Sequence, residues 1–469
     1  MGRKFKKKLI ENLTIVDIAD RGKYVAKNEE GQVVFVEDVA PGDVVDVLVY
    51  KKRKGYLLGS VKEIKKYSED RVEPFCEHFG TCGGCKFQHI PYVKQLEFKQ
   101  NIVDNALRRI GKVEIEDFRD ILPCEETAFY RNKLEFSFSN KRWLTYEELN
   151  SDISNVEDVL GFHRAGAFDK ILNINKCHLQ PEPSNSLRNS FKEIALEQGL
   201  TFYDVRKNTG FLRNMIVRTA TTGEVMLVLS VGENDQEKID NLLNAVLEKN
   251  PSLTCVYFTV NKKVNDSWFD LEMNHFFGKK TIEEYLGKVK FEIGPKSFFQ
   301  TNTKQAIRLF DVVKEFAELS GEENVYDLYT GLGSIGLYLA ENCKQVVGIE
   351  EIEAAIEDAK ANSKRNNITN SVFYAGDVKD ILTTEFSKKH GKPDVVITDP
   401  PRAGMHPKVV DMLLELEAPK IVYVSCKPST QARDLNLLKE KYNIKKVQAV
   451  DMFPQTPHIE TVALLEFKK

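Results

Sequence analysis

The chain has 469 residues, of which 42% are hydrophobic and 29% charged, and its formal net charge is -3. This length predicts two to four folded domains, and the near-neutral charge gives no global sign of nucleic-acid binding. No apolar run is long enough to span a bilayer, and the N-terminus lacks an apolar signal region. We therefore expect a cytoplasmic protein, whose eight cysteines are reduced rather than paired in disulfides.

The N-terminal residues 1–66 carry a local excess of positive charge, with fifteen Lys and Arg against ten Asp and Glu. Within them, short β-branched segments separated by glycine and proline predict a small closed barrel of OB-like type. A basic turn at residues 51–56 projects from this barrel. A basic module on a near-neutral chain is typical of an RNA-binding appendage, although an ordinary solvated surface explains the charge equally well.

The 220 or so residues that follow the barrel change their sequence pattern twice. Residues 65–90 interrupt the strand pattern and contain three cysteines. Apolar residues at helical spacing predict an amphipathic helix at residues 92–110. Residues 120–290 indicate mixed α/β structure, with an acidic surface insertion at 144–160 and with strands at 133–139 and 215–220.

From about residue 320 onward, strands and helices alternate regularly. The predicted strands lie at 324–329, 345–349, 372–375, 394–398, 420–425, 446–451 and 461–467, with the first two helices at 334–341 and 351–366. This alternation predicts a doubly wound, largely parallel sheet, whose ligands bind at the carboxyl ends of the strands.

A glycine-rich loop follows the first of these strands, from Asp327 to Gly336. Its glycines allow the backbone to approach a nucleotide-like ligand closely. Glu350 and Asp377 end the next two strands, where carboxylates can accept hydrogen bonds from ribose hydroxyls and an adenine amino group. The glycine spacing also fits the dinucleotide fingerprint, so the loop alone does not separate a methyl donor from NAD.

Three polar motifs end later strands or precede the last one. Asp399-Pro-Pro-Arg402 is a proline-stiffened strand exit that presents hydrogen-bond groups rigidly. Cys426, in Ser-Cys-Lys-Pro, is a candidate nucleophile because it lies two strand ends from the donor loop. Glu460 is a candidate general base, with His458 as the alternative. Taken singly, these motifs are better explained as a turn, a buried cysteine and a solvated carboxylate.

Together the motifs resemble those of the RNA uracil-5-methyltransferases, bacterial enzymes that form 5-methyluridine in 23S ribosomal RNA and in tRNA. The resemblance covers nearly the whole chain, and Asp-Pro-Pro-Arg402, Ser-Cys426-Lys-Pro and His-Ile-Glu460-Thr-Val carry it. It implies a Rossmann-like class I domain that uses S-adenosylmethionine (SAM), with Cys426 as nucleophile and Glu460 as general base. Uracil C5 is a poor nucleophile, so the thiolate first adds to C6.

The resemblance also assigns the remaining site residues. It places methyl-donor contacts on Gln300, Tyr329, Glu350 and Asp399, beside the adenine contact expected from Asp377. Phe298, in the segment Ser-Phe-Phe-Gln, becomes an aromatic platform for the target uracil.

Four cysteines form a candidate metal site: Cys76, Cys82, Cys85 and Cys177. Four thiolates can hold zinc or an iron–sulfur cluster, and their spacing alone favours zinc. Family members that carry these four cysteines bind a [4Fe-4S] cluster, so the resemblance implies that cofactor instead.

We therefore expect an α/β protein of three domains. These are a TRAM-like RNA-binding β-barrel at 1–66, a central α/β domain with the iron–sulfur site at 67–299, and a SAM-dependent methyltransferase domain at 300–469. RNA is the expected partner of a monomeric enzyme without membrane association. The barrel and the four cysteines favour 23S ribosomal RNA over tRNA. The alternatives are an NAD-dependent oxidoreductase, which leaves Cys426 and Glu460 unexplained, and a catalytically silent RNA-binding protein.

Overall fold

The structure is a computed structural model, and it describes residues 7–19, 22–144, 146–151, 153–164 and 169–468. Parts of two predicted segments lie outside the described residues: 1–6 and 20–21 of the barrel domain, and 145 and 152 of the acidic insertion.

The secondary structure elements are numbered in chain order. The strands are β1 (Lys8–Ala19), β2 (Lys23–Lys27), β3 (Val33–Val36), β4 (Val44–Arg53), β5 (Tyr56–Lys66), β6 (Ile115–Leu122), β7 (Lys133–Lys141), β8 (Val156–His163), β9 (Ile171–Asn173), β10 (Leu212–Thr219), β11 (Val225–Val231), β12 (Cys255–Val260), β13 (Asn274–Gly278), β14 (Ile282–Leu286), β15 (Val289–Ile293), β16 (Asn324–Leu328), β17 (Gln345–Glu350), β18 (Ser371–Ala375), β19 (Val395–Thr398), β20 (Lys420–Ser425), β21 (Tyr442–Val450) and β22 (Glu460–Phe467). The helices are α1 (Tyr92–Asn105), α2 (Tyr146–Leu149), α3 (Ser184–Glu197), α4 (Gln236–Lys249), α5 (Thr303–Ala317), α6 (Ser334–Leu339), α7 (Glu353–Arg365), α8 (Val378–Ile381), α9 (Thr384–His390), α10 (Pro407–Leu416) and α11 (Pro428–Leu438).

The chain divides into two compact units. Unit 1 is built from three separate stretches, Met1–Gly80, Cys85–Thr127 and Asp399–Lys469. Unit 2 contains Thr81–Gly84 and Ala128–Thr398.

Unit 1 begins with the predicted closed barrel, in the strand order β1-β2-β3-β5-β4. Strand β1 pairs with both β2 and β4, which closes the ring. The β-branched residues that predicted the barrel fill its interior, because Val34, Val45 and Val47 are fully buried. The same apolar core includes Phe87 and Ile90, which follow the barrel in the chain.

The rest of unit 1 is a four-stranded sheet in the order β20-β22-β21-β6. Strand β22 is antiparallel to β20 and β21, whereas β6 joins β21 in parallel. The predicted helix at 92–110 is confirmed as α1, which continues into a π-helical turn at Ala106–Gly111. The sequence pattern did not predict strand β6. It pairs with a strand that lies more than 300 residues later in the chain.

Unit 2 contains the glycine-loop region as four parallel strands in the order β18-β17-β16-β19. The register pairs Leu328 with Ile349 and Glu350 with Ala375, so β16, β17 and β18 end at the same edge. The predicted strand–helix alternation is confirmed here. Unit 2 also holds a seven-stranded sheet in the order β13-β12-β11-β10-β7-β8-β9 and the hairpin β14–β15. In the described part of the chain, no helix has the length and apolarity needed to cross a membrane.

Candidate active site

The candidate nucleophile and base lie at the ends of two neighbouring strands of unit 1. Ser425, the last residue of β20, pairs with Thr461 of β22. Cys426 directly follows Ser425, and Glu460 directly precedes Thr461. The antiparallel register therefore brings the thiol and the carboxyl group to the same end of the sheet.

Burial raises the pKa of both groups. The pKa of Glu460, which is 5% exposed, is raised well above its usual range by desolvation and then by the negative charge of Asp399. Burial, followed by the negative charges of Glu460 and Asp399, raises the pKa of the Cys426 thiol to about 11. Perturbed acids of this kind, gathered at strand ends, are typical of active sites.

Arg402 is the positive charge that opposes these shifts. It lowers the pKa of Glu460 electrostatically, and it lowers the pKa of Cys426 both electrostatically and through a hydrogen bond. The sequence pattern places Arg402 in a motif but predicts no specific role for this residue. Its position in the Asp-Pro-Pro-Arg motif, after the strand that leads to Asp399, is the sequence feature that indicates a role in the site.

The first turns of α11 hold the loop that carries Arg402. The Thr430 hydroxyl donates to the Arg402 carbonyl over 3.3 Å, and the Asp434 carboxylate accepts from the Met405 amide over 2.9 Å. Gly404 adopts a φ of +79°, and a Cβ there would lie 2.7 Å from the Asp434 carboxylate. The side chains that follow the Ser-Cys-Lys-Pro motif thus fix the opposite loop of the site.

Gln431, also on α11, ties together the two strands that present the nucleophile and the base. Its side-chain amide donates to the Tyr423 carbonyl of β20 over 2.9 Å and to the Thr461 carbonyl of β22 over 3.2 Å. Because Cys426 lies just before α11, the positive end of this helix also favours its thiolate form.

The loop before Glu460 is fixed by buried polar residues of α1. Lys99 donates to the Asp451 carboxylate over 2.6 Å and to the Phe453 carbonyl over 3.1 Å. Gln95 exchanges hydrogen bonds with the backbone and side chain of Gln455, which adopts a strained φ of +68°. His458, the alternative base, is exposed, whereas Glu460 is buried.

Unit 2 carries the candidate site for the methyl donor. Asp327, 1% exposed, accepts hydrogen bonds from the Thr330 hydroxyl and from the Gly336 amide. Burial raises the pKa of Asp327 to about 6. A Cβ at Gly336 would lie 2.8 Å from this carboxylate, so the third glycine of the loop is sterically required. Tyr329 adopts a φ of +64°, and the loop leaves the strand through this residue.

The predicted nucleoside contacts end the neighbouring parallel strands. The Glu350 carboxylate accepts from the Gly331 amide over 3.2 Å and from the Ile352 amide over 3.0 Å, which orients it beside the glycine loop. Asp377 caps α8 by accepting from the Lys379 amide over 3.1 Å, and it also forms an ion pair with the Lys379 ammonium. The residues present therefore fit a nucleoside ligand at this edge.

The segment between β15 and α5 carries Phe298 and Gln300. Phe298 is 72% exposed, whereas Phe299 is buried. Asn132, at the start of β7, donates from its side chain to the Gln300 carbonyl over 2.9 Å. The backbone of the segment is thus held rigidly, while the Phe298 ring is free for a ligand.

The four candidate metal ligands do not form a recognisable site. Among the described residues, no three His, Cys, Asp or Glu side chains are grouped so that they could hold a metal ion. Cys177 is buried, and the other three are partly exposed: Cys76, Cys82 and Cys85. Cys124, Cys255 and Cys343 are buried core residues.

Two family models match the chain. The model described as tRNA (Uracil-5-)-methyltransferase matches residues 271–468, which include the glycine loop, Cys426 and Glu460. The model of the TRAM domain matches residues 9–62, which form the closed barrel.

Relatives match this chain over nearly its whole length. A protein of Bacteroides thetaiotaomicron named as an uncharacterized RNA methyltransferase is 48% identical, over 96% of this chain and 100% of the relative. A protein of the same description from Porphyromonas gingivalis is 47% identical, over 97% and 99%. The crystal structure of the Pyrococcus abyssi tRNA (uracil-54, C5)-methyltransferase with S-adenosyl-L-homocysteine has a TM-score of 0.75 and 30% identity, covering 97% and 100%.

Proposed function

Since the chain belongs to the tRNA (uracil-5-)-methyltransferase family, we propose that it methylates C5 of a uridine in 23S ribosomal RNA through a covalent bond between Cys426 and uracil C6. Use of SAM and action on RNA are properties of the family. The covalent route, the site residues and the choice of ribosomal RNA are our proposals.

The observation that carries the proposal is the pairing of Cys426 with Glu460 at adjacent strand ends, opposite Arg402. A thiol and a buried carboxyl group at one point are what addition and elimination at a pyrimidine require.

In the first step, the Cys426 thiolate forms a bond to C6, and the electrons of the C5–C6 double bond move towards the uracil O4 oxygen. Arg402 stabilises the thiolate, since it lowers the pKa of Cys426. SAM supplies an electrophilic methyl group to C5, and its sulfur leaves with the electron pair of the broken bond. Phe298 stacks on the uracil and keeps it in place.

Glu460 acts in the second half of the reaction. Its carboxylate removes the proton from C5, and the electrons of that bond restore the C5–C6 double bond. The bond between C6 and Sγ then breaks, and Cys426 leaves as a thiolate. Cys426 is thereby regenerated as a thiolate, and SAM has become S-adenosylhomocysteine. Glu460 returns to its carboxylate form when its proton passes to solvent.

Donor binding is assigned to the strand ends of unit 2. Glu350 accepts hydrogen bonds from the ribose hydroxyls, and the backbone around Tyr329 and Gly331 approaches the donor. Gln300 and Asp399 complete the donor contacts. Asp377 contacts the adenine amino group once Lys379 shares its carboxylate with the ligand.

A tRNA substrate is the second candidate, and a specific observation favours it. The Pyrococcus abyssi structure that aligns over 97% of this chain is named for uracil-54 of tRNA. Unmodified 23S ribosomal RNA and tRNA, offered separately with methyl-labelled SAM, distinguish the two. The proposal requires 5-methyluridine in the ribosomal RNA; label found in tRNA alone, or on another atom, contradicts it.

A Cys426→Ala variant tests the covalent route. It should give no turnover and no RNA adduct, while S-adenosylhomocysteine binding, measured by calorimetry, stays unchanged. Turnover above a tenth of the wild-type rate would rule out Cys426 as the nucleophile.

The [4Fe-4S] cluster at Cys76, Cys82, Cys85 and Cys177 rests on the resemblance alone. The described residues do not form such a site, so no step above uses a cluster. The three functional domains at 1–66, 67–299 and 300–469, and a monomeric state, are likewise proposals.

A further inference from the structure

Three arginines of unit 2 are almost completely buried: Arg188, Arg213 and Arg218 are 1%, 2% and 4% exposed. A buried guanidinium group is costly unless hydrogen bonds and a counter-charge compensate it. The three arginines differ in the hydrogen-bond acceptors and charges that surround them.

Arg213 shows the usual solution for a structural arginine. It donates to the carbonyls of Asn261, Lys263 and Asn265 and to the Asp266 carboxylate, over 2.6 to 3.1 Å. Arg188 similarly donates to three oxygens, those of Asn185, Asn175 and Asn189.

Arg218, on the same strand as Arg213, lacks this compensation. Within the part of the chain that the structure describes, its one hydrogen bond goes from Nη2 to the Ser297 carbonyl, over 2.5 Å. Its Nε atom is buried without a partner, as are the Nε atoms of Arg188 and Arg213. Unlike Arg213, however, Arg218 has no described carboxylate within 4.0 Å of its guanidinium. Burial alone lowers the pKa of Arg218 to about 10.

A second cation is its direct neighbour across the sheet. Lys133 of β7 pairs in register with Arg218 of β10, and like charges at such positions repel each other. Burial first, and then Arg218, lower the pKa of Lys133 to about 8. Glu135 opposes this shift, but among the described contacts it makes no ion pair with Lys133. The Lys133 ammonium lies 5.4 Å from the centre of the Trp268 ring.

We propose that Lys133 and Arg218 form a binding site for one phosphodiester group of the RNA substrate. The inference rests on the proposed function, because it takes RNA as the source of the anion. An anion at this point supplies the counter-charge that Arg218 lacks and that Lys133 receives only from Glu135.

The position of the site agrees with this ligand. Arg218 donates to the carbonyl of Ser297, the residue immediately before the exposed Phe298. A phosphate held by Arg218 therefore lies one residue from the ring on which the target base stacks. In a nucleotide, only the sugar separates the base from the phosphate, so one nucleotide can contact both Phe298 and Arg218.

An Arg218→Met variant, with Arg213→Met as the matched control, tests the proposal. Removing an uncompensated buried charge should leave the melting temperature of Arg218→Met unchanged or higher. Arg213→Met should melt several degrees lower, because it leaves Asp266 and three carbonyls without their donor. Arg218→Met should weaken binding of a uridine-containing RNA about tenfold and reduce the slope of log affinity against log salt by about 0.7 to 0.9, the value for one phosphate.

Two further measurements identify the anion. Inorganic phosphate, compared with chloride at equal ionic strength, should raise the melting temperature of the wild-type protein but not that of Arg218→Met. Affinity for S-adenosylhomocysteine should be unchanged in Arg218→Met; a loss there instead assigns the site to the carboxylate of the methyl donor and overturns the proposal.

The proposal is also overturned if Arg218→Met melts as low as Arg213→Met and keeps the wild-type salt slope, since Arg218 is then purely structural. Lys133→Met, at a less buried position, provides the same salt-slope test if Arg218→Met does not fold. If the wild-type protein transfers no methyl group, the proposed function fails, whereas the phosphate and salt-slope measurements still decide the anion site.

Discussion

Replacing Glu460 with Gln should separate the two halves of the reaction, because it keeps the shape of the side chain and removes the base. After methyl transfer, C5 carries both the new methyl group and its original proton. The bond between Cys426 and C6 cannot break by elimination until that proton leaves. The variant should therefore transfer one methyl group and then stall as a covalent enzyme–RNA complex.

Replacing Glu460 with Gln should have opposite effects on the rates of the two steps. Since the pKa of Cys426 is about 11, roughly one thiol in 10³ is ionised at pH 8. The charge of Glu460 is the second-largest cause of that raised pKa, so its removal increases the thiolate fraction, by about tenfold for each unit of pKa. Loss of a general base slows proton removal by about 10²- to 10⁴-fold. Adduct formation should thus be no slower, and adduct decay at least a hundredfold slower.

A denaturing gel with methyl-labelled SAM measures both steps, since the stalled complex carries the label at the mass of the protein plus RNA. His458→Ala is the matched control, because His458 belongs to the same loop and is exposed. Normal turnover by Glu460→Gln, together with adduct accumulation in His458→Ala, would refute the assignment of the base to Glu460.

Changing the basic residues of the turn at 51–54 to Gln should weaken RNA binding and flatten its salt dependence without changing turnover of bound RNA; equal affinity and slope would remove the barrel from RNA binding. Lys99→Met should destabilise unit 1 by about 3 to 5 kcal/mol, because it leaves the Asp451 carboxylate buried alone, and the double variant Lys99→Met, Asp451→Leu should recover most of that loss in denaturant unfolding. If the four cysteines hold the proposed cluster, anaerobically purified protein should be brown and contain about four irons per chain, whereas stoichiometric zinc without visible absorbance would contradict it.

The barrel and the alternating C-terminal region were predictable, because each rests on local patterns. The valines of β4 alternate inward, and each strand of the glycine-loop region is followed by its own helix. The motifs single out Cys426 and Glu460 as candidates, because both stand in short, distinctive polar sequences at strand ends. The pairing of those two ends needed the antiparallel register of β20 and β22, which periodicity does not encode.

Other features were beyond the sequence because they depend on distant partners. Strand β6 is short, and half its residues are charged, so only its pairing with β21 reveals it. Arg213 and Arg218 are the same residue type five positions apart, yet one is neutralised and the other is not. Deleting residues 1–66, the simplest test of the barrel, would also uncover the buried Phe87 and Ile90, which is why point changes in the turn are preferable.

The construction of unit 1 from both ends of the chain also affects how the protein matures. Strand β6 ends at Leu122, and its neighbour β21 begins at Tyr442, about 320 residues later. At about 5 to 20 residues per second, a ribosome needs roughly 15 to 65 s to synthesise that interval. During this time β6 is an unpaired strand edge on the nascent chain, and neither Cys426 nor Glu460 yet exists. The barrel can therefore fold before the two residues that we propose as nucleophile and base have been synthesised.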